Sequence, residues 1–171
     1  MKKFLLIFCI TLSYQLSVCQ PVNQKYLLLT TKNSLLQSNV INDIKFDNEN
    51  TAWIGTNSGL SVVRDKSWLN INQSNSNIPH NTVTHIAIKE DKMWFAFMET
   101  CGILVDVCNL ENGVWTCYNK TNSWLSAIFT QDLVINNNYE PLVGTDAGLF
   151  RIHNKIVTVY QKAISVCLII Q

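Results

Sequence analysis

The sequence is short of net charge: thirteen Lys and Arg stand against twelve Asp and Glu in 171 residues, a formal +1. Proteins that bind the nucleic-acid backbone carry a clear basic excess, because their affinity comes from displaced counterions, so that class is excluded. No dense run of one sign occurs either, which removes a polybasic membrane anchor and a charged tail. No apolar stretch reaches the roughly twenty residues that a helix needs to cross a bilayer. No two cysteines have the two-residue spacing of a zinc knuckle, and His80, His85 and His153 lie away from the cysteines, so no metal site is expected. A Gly-x-Ser-x-Gly elbow and a phosphate-binding loop are also missing. With 47% hydrophobic and 15% charged residues, the chain has the composition of one that buries a core.

The first nineteen residues read as an address. Lys2 and Lys3 precede an apolar run from Phe4 to Leu12, and Ser17, Val18 and Cys19 supply small or medium residues before Gln20, the pattern of a secretory signal peptide over 1–19. Its removal leaves a repeat domain over 20–171 with a net charge near −1 and no membrane span, in the periplasm or outside the cell. A lipoprotein held through Cys19 is the alternative, against which Val18 stands where such boxes carry Gly, Ala or Ser. Export permits disulfides, so Cys101, Cys108, Cys117 and Cys167 are either bridged or buried as small apolar residues; the first three fall within one expected hairpin.

What the chain does contain is repetition with a period of 42 to 48 residues, in the range of propeller blades. In the clearest copy, Val40, Ile41, Asp43, Ile44 and Phe46 alternate, a polar turn follows from Asp47 to Asn50, and Trp53-Ile54-Gly55-Thr56 leads through Gly59-Leu60 into Ser61–Arg64 and Trp68–Ile71. The third copy repeats it with Asp132, Leu133 and Ile135, then Asn136–Asn138, then Leu142 to Phe150; Ile44 to Gly55 and Leu133 to Gly144 are both eleven positions. The middle copy runs through Ile86, Ile88 and Met93–Ala96, resumes at Gly102-Ile103-Leu104, and closes with Val114–Tyr118; Ala96 stands where the others have Gly. Connectors repeat too: Ser34, Leu36, Asn39, Ile41 and Ile44 match Ser76, Ile78, Asn81, Val83 and Ile86 at an offset of 42. Period-two patterning with Gly and Asn turns, and no helical apolar stripe, predicts an all-β chain. It reads as an incomplete β-propeller of about three four-stranded antiparallel blades, approximately 40–72, 82–118 and 129–160, after a leading strand at Lys25–Thr30.

In this architecture Gly55 and Gly144 are expected where a side chain would crowd the neighbouring backbone, and Gly59 and Gly148 in turns with positive φ, a region that Asn50 and Asn136–Asn138 also tolerate. Three blades do not close a ring, so the terminal faces should expose Leu27, Leu29, Ile156 and Val159 and favour self-association or further blades. The apolar Ala163–Ile170 tail is a covering strand or the result of truncation.

The stretch Trp53-Ile54-Gly55-Thr56-x-x-Gly59-Leu60, preceded by Asn42, Asp43, Ile44 and Asp47 and followed by Ser76, Ile78, Pro79, Asn81 and Val83, resembles the two-component regulator propeller repeat. The resemblance implies the extracytoplasmic sensor region of hybrid histidine kinases of Bacteroidetes type, a seven-bladed ring, and oligosaccharide signals from polysaccharide breakdown.

Catalysis weighs less. Asp47, Asp91, Asp132 and Asp146 are the carboxylates that glycoside cleavage would draw on, but Asp47 belongs to a turn the repeat favours, and Asp132 is the equivalent of Asp43. Trp53 with Trp94, and Trp68 with Trp115, recur at equivalent places and read as inter-blade core. Trp124, in a connector, is the one candidate ligand-binding aromatic. The expected function is therefore non-enzymatic and free of cofactors: ligand sensing or protein interaction in a two-component sensor region. Alternatives are a standalone secreted interaction protein that closes by oligomerising, a truncated remnant and, behind these, a carbohydrate-active propeller enzyme.

Overall fold

The computed structural model describes residues 27–99, 105–123, 125, 127 and 129–161. The 1–19 segment, Cys101, Gly102–Leu104, Trp124, Cys167 and the Ala163–Ile170 tail lie outside the described residues. Twelve strands and no helix are present among those described, as the alternating pattern predicts.

The strands form three antiparallel meanders. Blade one comprises β1 (Ile41–Phe46), β2 (Ala52–Thr56), β3 (Gly59–Arg64) and β4 (Ser67–Ile71). Blade two comprises β5 (Thr82–Lys89), β6 (Lys92–Met98), β7 (Val105–Glu111) and β8 (Val114–Tyr118); blade three comprises β9 (Thr130–Ile135), β10 (Pro141–Thr145), β11 (Gly148–His153) and β12 (Ile156–Tyr160). In each sheet the strands neighbour one another in chain order and no sheet closes on itself. This is the open, incomplete propeller that the repeats predict.

Local chemistry explains the recurring motif. In blade one the Thr56 hydroxyl donates to the Gly59 carbonyl at 2.7 Å and accepts the Ser58 N–H at 3.0 Å; Thr145 does the same with Gly148 and Ala147 at 2.8 and 3.0 Å. Gly59 and Gly148 have φ of 128° and 121°, and a Cβ at either would run into the carbonyl of Ile71 or Tyr160, so only glycine fits. Asp47 heads the β1–β2 turn by accepting the N–H groups of Glu49 and Thr51, each at 2.9 Å. Asn136 heads the equivalent turn of blade three, accepting from Asn138 and Glu140 at 2.8 and 3.0 Å. The left-handed residue there is Tyr139, with φ 60°, matching Asn50 at 62°, rather than one of Asn136–Asn138. Asn136 is spent as a side-chain acceptor, and the strained position falls on the tyrosine.

Blade two departs from the sequence alignment. Phe97 pairs with Asp106 where Thr56 pairs with Gly59, so Asp106, not Gly102, occupies the turn-glycine place. Strands β6 and β7 run past that point to the Met98–Val105 pair, and a longer loop replaces the two-residue turn. On the outer pair, Cys108 faces Cys117 in register and the two form a disulfide, with Cα atoms 4.0 Å apart. This resolves two of the four cysteines as bridged.

Two apolar clusters bind the blades. Leu60 and Val62 of blade one meet Ile78, Val83, Ile86, Phe95 and Phe97. Trp94, Ala96 and Val107 of blade two meet Leu125 of the connector and Leu133, Val143 and Phe150 of blade three. Consecutive residues Phe95, Ala96 and Phe97 are each wholly buried, because both faces of blade two are covered. Trp53 and Trp115 stack into the first interface, their ring centroids 5.8 and 5.1 Å from Phe95, and Trp94 is buried in the second. Trp68 belongs to neither cluster, since its equivalent of Trp115 would face a blade before blade one.

The expected crowding holds at Gly55 and fails at Gly144. A Cβ on Gly55 would lie 3.0 Å from Val83 Cγ1 and 3.2 Å from the Val83 carbonyl oxygen. At Gly144 the nearest atoms are 3.8 Å away, on Asp132 of its own sheet. No described strand packs where Val83 packs in blade one. Leu27, Leu29 and Ile156 are exposed as expected, but Val159 is not: it is partly buried against the cluster between blades two and three. Leu27–Thr30 is not a paired strand of any described sheet.

These contacts order three substitutions. Gly55→Val is expected to cost about 1–3 kcal/mol through overpacking, and Gly113→Val about 1 kcal/mol through its positive φ. Gly144→Val should be close to neutral. Urea midpoints of the three variants check the order, and an equal loss at Gly55 and Gly144 would contradict it.

Candidate functional site

Blades fan outward from their first strands, so neighbouring sheets touch at the inner strands and splay at the outer ones. Between blades two and three the splay leaves a cleft of about 480 Å³, lined by Trp94, Asn109 and Tyr118 on one side and by Tyr139, Glu140 and His153 on the other. The floor is aromatic: Trp94 and Tyr118 have ring centroids 5.8 Å apart with planes inclined by 32°. Burial pushes the Tyr118 hydroxyl above the usual phenol range, so it stays a neutral donor.

The walls are polar and held in place. Glu140, itself buried, accepts from Asn136 Nδ2 at 2.9 Å and pairs with His153 Nδ1 at 2.7 Å, with Arg151 at 3.9 Å. The Asn136 hydrogen bond leads in holding its carboxyl below the usual range; burial opposes this, and Arg151 and His153 add to it. Across the rim, Lys92 pairs with Glu111 at 3.2 Å, which together with Asp91 raises its pKa. Tyr139 bridges the blades by donating to Glu90 at 2.8 Å while Lys89 Nζ sits 5.3 Å from its ring centroid. Asn109 lies on the cleft wall, and its buried Oδ1 has no hydrogen-bond partner. An aromatic floor with hydroxyl, amide and carboxylate groups above it suits a polar, ring-containing ligand.

The candidate carboxylates do not assemble into an acid–base pair. Asp47 and Asp91 share a shallow groove with Glu49 and Glu90, yet both Asp47 oxygens are engaged, Oδ1 by turn N–H groups and Oδ2 by Trp53 Nε1 at 3.0 Å. Burial alone would raise the Asp47 pKa; the bonds from Trp53, Thr51 and Glu49 outweigh it and lower it. Asp132 accepts the Leu133 N–H at 2.8 Å and Asp146 accepts the Phe129 N–H at 3.0 Å. The histidines are dispersed: His80 lies 2.8 Å from buried Asp106, His153 against Glu140, and His85 has a buried Nδ1 with no partner. Among the described residues no group of three His, Cys, Asp or Glu is placed to hold a metal. Trp124, the aromatic singled out from sequence, lies outside the described residues.

Sequence reasoning missed Tyr118, Glu140 and His153. The first reads as the end of a strand and the others as turn residues, and only the packing of one blade on the next makes them neighbours.

Because the folded-state pKa of Glu140 is depressed, its contribution to stability is present above the unfolded carboxylate range and is lost as pH falls through the folded value. Glu140→Gln should therefore lower Tm at pH 7, with the gap to the parent chain closing below about pH 4. Thermal melts of both proteins across that range check it, and a gap independent of pH would contradict the charge-based account.

Residues 35–58 match the family model described as two component regulator propeller. No curated protein matches the sequence. Among solved structures, the chain is similar to the extracellular domain assigned to a hybrid two component system of B. thetaiotaomicron, with TM-score 0.61 and 20% identity over 81% of this chain and 19% of that one. An extracellular domain assigned to a one component system of the same organism gives TM-score 0.44 and 16% identity over 74% of this chain and 22% of that one. The chain thus spans about a fifth of the length of these structures. The first likeness shows the propeller fold. No helix among the described residues is long and apolar enough to cross a membrane. The described residues of this chain form an open array of three propeller blades, the first of which carries, at residues 35–58, a match to the two component regulator propeller.

Proposed function

We propose that the chain is an extracytoplasmic, non-enzymatic propeller segment that senses a ligand or contacts a protein, of the kind found in the sensor region of a two-component regulatory system. The observation that carries this reading is the regulator-propeller match at residues 35–58 within a propeller array. Engagement of both Asp47 oxygens within its own turn supports binding rather than catalysis. Export by the 1–19 segment accords with a Cys108–Cys117 disulfide, which persists in oxidising compartments.

Oligosaccharides are the proposed ligand class, and the cleft between blades two and three is the proposed site. Tyr118 and the edge of Trp94 line the cleft, with Asn109 and Thr116 beside them as polar groups. Titration of the exported protein with a panel of neutral and acidic oligosaccharides, followed by calorimetry and tryptophan fluorescence, tests it. At least one member should bind, with Asn109→Ala and Thr116→Ala weakening it about tenfold, or 1.4 kcal/mol. Failure of the whole panel, or binding indifferent to both variants, would contradict the assignment.

A further inference from the structure

Equivalent rows of blades one and two carry opposite chemistry. Trp53, Val62 and Leu69 stand side by side across β2, β3 and β4, on the face turned to blade two. Trp94, Asn109 and Thr116 hold the same places across β6, β7 and β8, on the face turned to blade three. The row that is polar at its two outer positions in the cleft already described is therefore apolar throughout in the gap between blades one and two. The opposing row of blade two, Met93, Leu110 and Trp115, is apolar as well.

The outer strands splay here too, leaving three adjoining hollows of about 380, 360 and 520 Å³. The first shares Asp47 and Glu49 with the second and Trp53 and Leu69 with the third, so they run together as one groove. Its floor is only half covered: Val62 is buried, but Leu69 beside it is 60% exposed. One end is acidic, where the β1–β2 and β5–β6 turns bring up Asp47, Glu49, Glu90 and Asp91. Glu49 pairs with Arg64, the one cation on the described lining, and Asp91 has Lys92 at 3.6 Å, yet the Glu49 and Asp91 side chains remain 66% and 78% exposed. The other end, between Ile71, Leu110 and Trp115, has no charged residue on its lining.

We infer that the groove between blades one and two is a second binding site, and that it takes an extended peptide with Lys or Arg at one end and large apolar side chains at the other. Charge complementarity selects the occupant: a cationic end meets the four carboxylates, an anionic one is repelled, and a wholly apolar segment would strip water from carboxylates without pairing them. Trp53 lies where the acidic end joins the floor, its Nε1 held by Asp47 at 3.0 Å, so its ring is fixed beside the incoming cation. The apolar end of the peptide then covers Leu69, Leu110 and Trp115. The groove follows β4, five residues long, and about 17 Å of extended chain holds five or six peptide residues. This site is separate from the cleft proposed for oligosaccharides and goes beyond that reading.

The test is calorimetry of the exported full chain at low salt with three synthetic peptides blocked at both ends: Arg-Lys-Ser-Leu-Phe-Leu, Glu-Asp-Ser-Leu-Phe-Leu and Arg-Lys-Ser-Asn-Ser-Asn. The first should bind, and the other two at least about tenfold more weakly. Leu69→Thr, which gives blade one the residue found at the equivalent place in blade two, should weaken binding about tenfold. Glu49→Gln combined with Asp91→Asn should weaken it about fivefold and remove most of its salt dependence. All three positions are exposed, so the variants keep the fold. No binding of the first peptide, equal binding of either of the others, or indifference to Leu69→Thr or to the charge variant would overturn the inference. So would a two-chain mass in solution that Leu69→Thr halves, since a second copy would then fill the groove. None of these variants touches the cleft between blades two and three, so the oligosaccharide reading stands or falls separately.

Discussion

Everything in this molecule depends on how closely one blade's first strands can approach the next. At Gly55 the approach is limited by the Val83 side chain and carbonyl, which a Cβ would meet at 3.0 and 3.2 Å, so a side chain there would make the neighbouring strand give way by a few tenths of an ångström. The contact is then fastened by polar groups: Asn42 Nδ2 donates to the Val83 carbonyl at 2.9 Å, and the Asp43 carboxylate accepts the Ile86 N–H at 2.8 Å. These bonds satisfy backbone groups that burial would otherwise leave unpaired, a loss of about 1–3 kcal/mol each. Tight inner strands force the outer strands apart, and the cleft between blades two and three is the space that this geometry leaves.

The same constraint sets what each repeat position tolerates. At the Gly55 place, blade two has Ala96, wholly buried against blade three, and blade three has Gly144 with nothing beyond its own sheet nearby. One side-chain position thus passes from crowded to open between blade one, which has a described blade against it, and blade three. Ile86 and Ile44 show the mirror case on the opposite face, one wholly buried and the other half exposed. The cost of an open face is apolar area left in water, about 25 cal/mol per Å², which is why sheets of this kind work in stacks rather than alone.

Strand order, meander topology and inter-blade placement of Trp53, Trp94 and Trp115 were legible in the sequence, because period-two alternation and an offset of 42 carry them directly. The position of the left-handed residue at Tyr139 was not, since it depends on Asn136 being used as an acceptor at the head of the turn. Nor was the hairpin of blade two, where Gly102 matched a motif by type while the actual register puts Asp106 in its place. The cleft was least legible of all. Its bridging contacts, Lys89 to the Asn136 carbonyl and Tyr139 to Glu90, join residues 47 and 49 positions apart, and no local pattern encodes such a meeting.

Native-state hydrogen exchange, read strand by strand, tests most directly the claim that packing between blades holds the array together. Blade two is covered on both faces, so amides of β6 and of the adjoining parts of β5 and β7 should exchange only through global unfolding, while those of β1, β4 and β12 exchange through local opening. Protection of β6 at least about tenfold above β1 and β12, or 1.4 kcal/mol, is the expected result. Equal protection across the three blades would show that each sheet is stable by itself and would contradict the account.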